Sequence, residues 1–284
     1  MRKSMALAMA LCFAGGCAYP GPIRIIGSGE EVKRILGKPV SIAAPLAEIP
    51  IGETLEYQVY FFGTPVATAT MTTSRPSDPK YAGLVELKFE SHAHWFLRAL
   101  YPVQTILVSW VDPRTVISRR SESYIRKRWR LYQDIITFDQ ERGLALHKIS
   151  NQKSITVPIH PNVHDSLGMV YYARTLPIVP GQSFPIQVTS DGKVWQLTAQ
   201  ALQACIVEVE RAVYRPAVEV EMELAYPVPF FDGANAQIWF SADSERIPLI
   251  VKLKSRMGPV NAVLMKRTLR PPAAAALAPE PSAS

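Results

Sequence analysis

From Gly52 onward the chain repeats one pattern, in which apolar residues occupy every second position for a short stretch and a turn follows. Leu55, Tyr57, Val59 and Phe61 alternate with Glu56, Gln58 and Tyr60, Phe62-Gly63-Thr64-Pro65 reverses the chain, and Ala67, Ala69 and Met71 then alternate with threonines. This period belongs to a half-buried β-strand, whose successive side chains point to opposite faces. Further strands are predicted over residues 84–91, 105–111, 115–125, 131–138 and 144–150, then over 183–189, 193–203, 206–210, 218–224, 236–241, 248–255 and 260–268. Turns fall at Asp112-Pro113, over residues 139–143 and at Asp191-Gly192, the last being a pair that tolerates the positive φ angles of tight hairpins. Serial strands joined by short turns pair antiparallel. The predicted class is therefore all-β, built as one large antiparallel curved sheet or as a two-lobed β-sandwich or half-barrel, with one or two short helices.

Two interruptions of the alternation have helical character. Residues 94–100 are short and aromatic. Residues 165–175 place Leu167, Val170, Tyr171 and Arg174 at helical spacing and stop before Pro177, with Asp165 or Ser166 as the cap. Arg174, near the end of this bridging helix, is placed to satisfy terminal carbonyls or to pair with an acid. Upstream, Ser28-Gly29-Glu30-Glu31 reads as a capping box before a short helix over residues 32–36 that Gly37 ends. The letters Gly27-Ser28-Gly29 lack the third glycine and the βαβ unit of a dinucleotide loop.

The N-terminus carries a different signal. Arg2 and Lys3 precede an apolar run over residues 5–14, followed by Gly15-Gly16-Cys17-Ala18, which is the charged, apolar and small-residue order of a secretory signal. The run is about half the ~20 residues a membrane-spanning helix needs, so it is read as a removable signal. Ala14-Gly15-Gly16-Cys17 resembles a bacterial lipobox, which makes Cys17 the lipid attachment site, with Ala14 standing where leucine is usual. Cleavage at the small residues without acylation is the alternative, and it leaves Cys17 free for a disulfide with Cys205. Ala18 after the cysteine, rather than aspartate, favours the periplasmic face of the outer membrane over retention at the inner one, with a soluble periplasmic or inner-membrane-anchored protein as the alternative. Cys205 itself sits in the apolar stretch Leu202-Gln203-Ala204-Cys205-Ile206-Val207 and reads as a small buried hydrophobe.

These signals divide the chain into a signal peptide (1–16), a lipid-anchored spacer with a short helix (17–50), an N-terminal β half (51–160), a helix with a C-terminal β half (161–270) and a disordered Pro/Ala-rich tail (271–284). The formal charge is +7, and Arg2 and Lys3 would leave with the signal. The remaining excess favours anionic neighbours, namely envelope lipids, glycans or an envelope protein, while the compartment disfavours nucleic acid.

In their order and spacing, several blocks resemble an exported bacterial family, domain of unknown function 3108. They are Gly52-Glu53-Thr54-Leu55-Glu56-Tyr57, the run from His164 to Arg174 with Pro177 and Pro180-Gly181, Asp191-Gly192-Lys193, and Ile238-Trp239-Phe240-Ser241-Ala242-Asp243 with Ile247-Pro248. The resemblance implies an all-β envelope protein, often lipid-anchored, without an assigned reaction, catalytic residue or cofactor.

Chemistry-bearing residues form three groups. His92 and His94 share a face if their segment is a strand, with His160 and His164 as further ligands, and a metal-dependent hydrolase using His92 and His94 is one functional alternative. His164-Asp165-Ser166 has the residue types of a hydrolase triad, but neighbours on one backbone do not face one another in that way. The third group is the basic run around Arg126, Arg128 and Arg130, which on a single strand would share one face and grip phosphates, beside aromatic residues such as Trp95, Tyr101 and Trp129. No cofactor is expected. The leading reading is a non-enzymatic binding or scaffolding β domain tethered to a membrane, and the second is a lipid or lipoprotein carrier with an apolar cavity.

Overall fold

The computed structural model describes residues 24–27, 30–95, 103–127, 130–210, 213–224, 234–255 and 258–270. Among them fifteen strands form one antiparallel, open and strongly curved sheet. In chain order these are β1 (Arg24–Ile26), β2 (Glu53–Phe61), β3 (Thr64–Ser74), β4 (Val85–Ala93), β5 (Val103–Val111), β6 (Ser118–Lys127), β7 (Arg130–Asp139), β8 (Leu144–Ile149) and β9 (Ile155–Pro158). The second series is β10 (Ser183–Ser190), β11 (Lys193–Glu210), β12 (Val213–Leu224), β13 (Ala234–Ser241), β14 (Pro248–Ser255) and β15 (Gly258–Leu269). Two helices, α1 (Glu30–Leu36) and α2 (Ser166–Thr175), complete the frame.

Strands β2 to β9 run as one meander and β11 to β15 as another, and β15 pairs with β2 to join them. The strands on the two sides of residue 160 thus lie in the same sheet. The β2–β3 turn is tighter than its sequence suggests. Phe62 and Gly63 alone make it, with φ of +47° and +80°, and Thr64 already pairs with Phe61. The Asp191-Gly192 turn has the two positive φ angles its residues predict, +53° and +69°. The stretches predicted as 193–203 and 206–210 are one long strand, bent by a bulge at Leu202.

Helix α2 lies against β4, β5 and β10 and packs into the cores of both meanders. Leu167 and Tyr171 pack into a core with Leu55, Tyr57, Leu87 and Val111 from β2, β4 and β5. Met169 and Ala173 pack into a second core with Val188, Leu197, Val220 and Phe240 from β10 to β13. The helix is short, and its tertiary contacts rather than its propensity stabilise it.

The far half of β11 leaves this layer and touches β14 and β15, which are not its ladder neighbours. This end of the β11–β12 ribbon, with β1 added at its edge, packs against α1 through Ile26, Val32 and Ile206. The segment expected to be a spacer is part of the domain from Arg24 onward. Ala43 N donates to Ala242 O, Leu46 N to Arg174 O and Ile49 N to Pro113 O, and Ile49 is buried. Its backbone groups find partners on the sheet, which is why a proline-containing stretch without regular structure is ordered there.

Candidate functional site

The polar residues of the interior gather at the two ends of α2 and at the seam between the sheet's free edges. At the helix C-terminus, Arg174 and Glu53 are each 1 % exposed. Glu53 sits on the inward parity of β2 with Leu55 and Tyr57, and Arg174 on the inward face of α2 with Tyr171. Arg174 Nη1 and Nη2 donate to Glu53 Oε2 and Oε1 at 2.6 and 3.1 Å, a paired grip. Arg267 of β15 donates from Nε to Glu53 Oε1 at 3.0 Å and through both other nitrogens to Glu245. Burial opposes the charge on Arg174, but the bonds to Glu53 outweigh it and hold its pKa above the ordinary value. Tyr57 donates to Pro248 O at 2.8 Å, and chiefly burial raises its pKa well above that of a free phenol. One charge cluster thus bolts α2 to the first strand of one meander and the last strand of the other.

At the N-terminus, Asp165 is the cap. Its Oδ1 accepts from Leu167 N and Gly168 N at 2.9 and 3.0 Å and also from the Ser109 hydroxyl, while Oδ2 accepts from the Ser118 hydroxyl. The Ser118 Oγ in turn accepts from Asp165 N. Both serine hydroxyls donate to the carboxylate, which the two helix amides also share. His164 faces away from this carboxylate. Its Nδ1 lies 3.0 Å from Val116 O, so that nitrogen carries the proton, and its ring stacks on Tyr172 at 4.2 Å. Burial lowers the His164 pKa, which keeps the ring neutral. Val116 takes φ +57°, costly for a β-branched residue. The triplet His164-Asp165-Ser166 is a capping device, as its adjacency suggested.

The seam holds a group that the sequence reading did not single out. Asp134 Oδ2, His147 Nδ1, His147 Nε2 and Thr189 Oγ1 follow one another at 3.3 and 2.9 Å, all buried. This is the order of an acid, a base and a hydroxyl. However, Thr189 gives its proton to Lys193 O, so toward His147 Nε2 the hydroxyl is an acceptor and not a donor to a base. With Tyr132 donating to Asp191 Oδ1 at 2.9 Å, these bonds tie the β10–β11 turn onto β7 and β8, where no ladder joins the two edges.

The predicted site residues are placed as follows. Arg126 stands opposite Leu131 and Lys127 opposite Arg130, so the basic run is folded into the β6–β7 hairpin and Arg126 and Arg130 lie on opposite faces. The single-strand geometry of a shared arginine face is therefore corrected; both side chains are exposed, while Arg128 and Trp129 lie outside the described residues. Cys17, the signal, Ser28, Tyr101, most of the helix expected over 94–100 and the tail 271–284 also lie outside them. Trp95 is exposed at the end of β4. His92 is exposed on β4, and His94 follows the strand with its Nε2 3.0 Å from Gln58 Nε2. His160 is exposed and His164 buried, and among the described residues no three His, Cys, Asp or Glu come together as a metal site. Cys205 is buried and free, and burial pushes its thiol up to about 12, in keeping with a packing role.

Groups from the separate sequence blocks meet around α2. Glu53 and Tyr57 come from the first, Tyr171 and Arg174 from the second, and Pro248 from the last. Among solved structures, the chain is similar to a beta-barrel-like protein of domain of unknown function DUF1849 from Brucella abortus, with 9 % identity and a TM-score of 0.48 over 80 % of this chain and 100 % of that one. No curated protein matches the chain. The family described as Protein of unknown function (DUF3108) matches over residues 56–265, and the chain belongs to that family.

Proposed function

We propose that the chain is an exported envelope lipoprotein, tethered through Cys17 at the periplasmic face of the outer membrane, whose β frame binds an anionic lipid, glycan or protein of the envelope. The observation that carries this reading is where the charges stand. The buried carboxylates Glu53 and Asp165 and the buried His147 and His164 are held by partners inside the fold. Arg126 and Arg130 form no ion pair among the described residues and are exposed on opposite faces of the β6–β7 hairpin, Arg126 on the face of Leu131, which is 50 % exposed. Exposed guanidinium groups beside an apolar side chain suit an anionic amphiphilic surface. The packing of Leu167, Met169, Tyr171 and Ala173 of α2 into the two apolar cores supports a binding frame over a carrier.

Mass spectrometry of the N-terminal peptide from the membrane fraction of the native host tests the anchor. The expected mature chain begins at Cys17 and carries a thioether-linked diacylglycerol. A chain beginning elsewhere, or an unmodified Cys17, contradicts the reading.

A further inference from the structure

We infer that a groove between the tip of the β11–β12 ribbon and β15 rests on the anionic bilayer surface that holds the tether, an inference that depends on the lipoprotein reading. The groove is small, about 60 Å³ in volume, and is lined by Val209, Val213, Arg215, Leu264, Met265 and Lys266. Its shape is set by two register shifts, one between Glu208 and Glu210 and one between Leu264 and Lys266, which turn Val209 and Met265 out of their ladders. Bulges re-aim side chains in this way. Val213 and Met265 are 39 % and 46 % exposed, large for apolar side chains held side by side on a folded domain. Arg215 and Lys266 are exposed on the rim and form no ion pair among the described residues, although Glu56 stands in register with Lys266. Arg267, deeper in the groove, is held by Glu53 and Glu245 and anchors the floor to the α2 bolt.

Charge and chain length together select the occupant. Apolar side chains flanked by cations match a leaflet of anionic headgroups, where basic groups meet phosphates and apolar side chains enter the acyl boundary. The position of the tether adds an independent constraint. The described structure begins at Arg24, and seven peptide steps join Cys17 to it, a reach of at most about 25 Å. Arg24 pairs with Glu208, one residue from Val209 of the groove. A short leash attached beside this surface keeps it at the bilayer.

The test uses the mature chain from residue 17 onward with Cys17→Ser, which removes the lipid, with vesicles of phosphatidylglycerol and phosphatidylethanolamine or of phosphatidylcholine alone. The chain is expected to sediment with the anionic vesicles and not with the neutral ones. Arg215→Gln with Lys266→Gln is expected to weaken that partition by roughly thirtyfold, about one decade or less for each lost cation. Lys148→Gln with Lys153→Gln removes the same charge from exposed positions on and after β8 and should leave the partition nearly unchanged. An environment-sensitive fluorophore on Met265→Cys, in a chain whose Cys205 is buried, should shift to the blue on the anionic vesicles, and this readout does not depend on the charge variants. Equal binding to neutral vesicles, equal loss in both glutamine pairs, loss confined to Arg126→Gln with Arg130→Gln, or an unshifted fluorophore overturns the inference. A lipidated Cys17 with an unshifted fluorophore removes the groove alone, whereas an unmodified Cys17 with a shifted one removes the tether alone.

Discussion

Arg174→Met will lower the stability of the protein by about 3–5 kcal/mol, because breaking a buried pair leaves the surviving charge without its partner. The survivor is Glu53, 1 % exposed and fixed on the first strand of its meander. The loss should fall toward the lower end, since Arg267 Nε still reaches Glu53 Oε1 at 3.0 Å. The buried carboxylate left with only Arg267 as its ion-pair partner, rather than the lost packing, is the predicted cause. The double variant Glu53→Gln/Arg174→Met removes both charges and should recover part of the stability, because an uncharged amide is cheaper to bury than a lone carboxylate. Urea unfolding of the wild type and both variants measures this. A double variant no more stable than Arg174→Met would show that the charge is not what matters there.

Asp165→Ala acts at the opposite end of the same helix. Four donors converge on that carboxylate, two of them the leading amides of α2 and two the buried hydroxyls of Ser109 and Ser118. Alanine removes a helix cap, which costs about 1 kcal/mol, and leaves buried donors unpaired at about 1–3 kcal/mol more. Asparagine keeps an acceptor for the two amides, and the Ser118 hydroxyl can turn to accept from its NH₂ group. Asp165→Asn should therefore recover at least half of the loss. Thermal unfolding of the two variants checks this, and an asparagine variant as unstable as the alanine one would point to the charge at the helix N-terminus instead of the hydrogen bonds.

The strand pattern was legible because burial on one face forces period two, and strand β14 appears with the predicted bounds, 248–255. The edges were less legible. β9 and β1 are short and have too few alternating residues to stand out, and β1 exists because Arg24, Ile25 and Ile26 find partners on β11. The α2 cap was readable as Asp165 or Ser166, since capping is local, and Asp165 takes the role. Partner choice was not. Glu53 lies on the apolar parity of its strand, and so does Asp134 with Ile136 and Phe138, and His147 with Ala145 and Ile149. A polar group at an inward position announces that it needs a buried partner. It does not say which one, and Arg174 is 121 residues from Glu53. The basic run was misread because Lys127 of β6 pairs with Arg130 of β7, which inverts the parity on which a shared arginine face depends.

The account rests on α2 as a fixed filling of the sheet, bolted at Glu53 and capped at Asp165, which leaves the outer surface to meet partners. Native-state hydrogen exchange of the α2 amides, residues 169–175, tests this most directly, because exchange distinguishes local opening from global unfolding. The account predicts that these amides exchange only through the opening that also exposes Leu87 of β4 and Phe240 of β13. If α2 exchanges at a markedly lower free energy than those strands, the helix moves out of the sheet while the frame stays folded. The curve would then be a closable cavity, as a carrier requires, and the filled-frame account would be wrong.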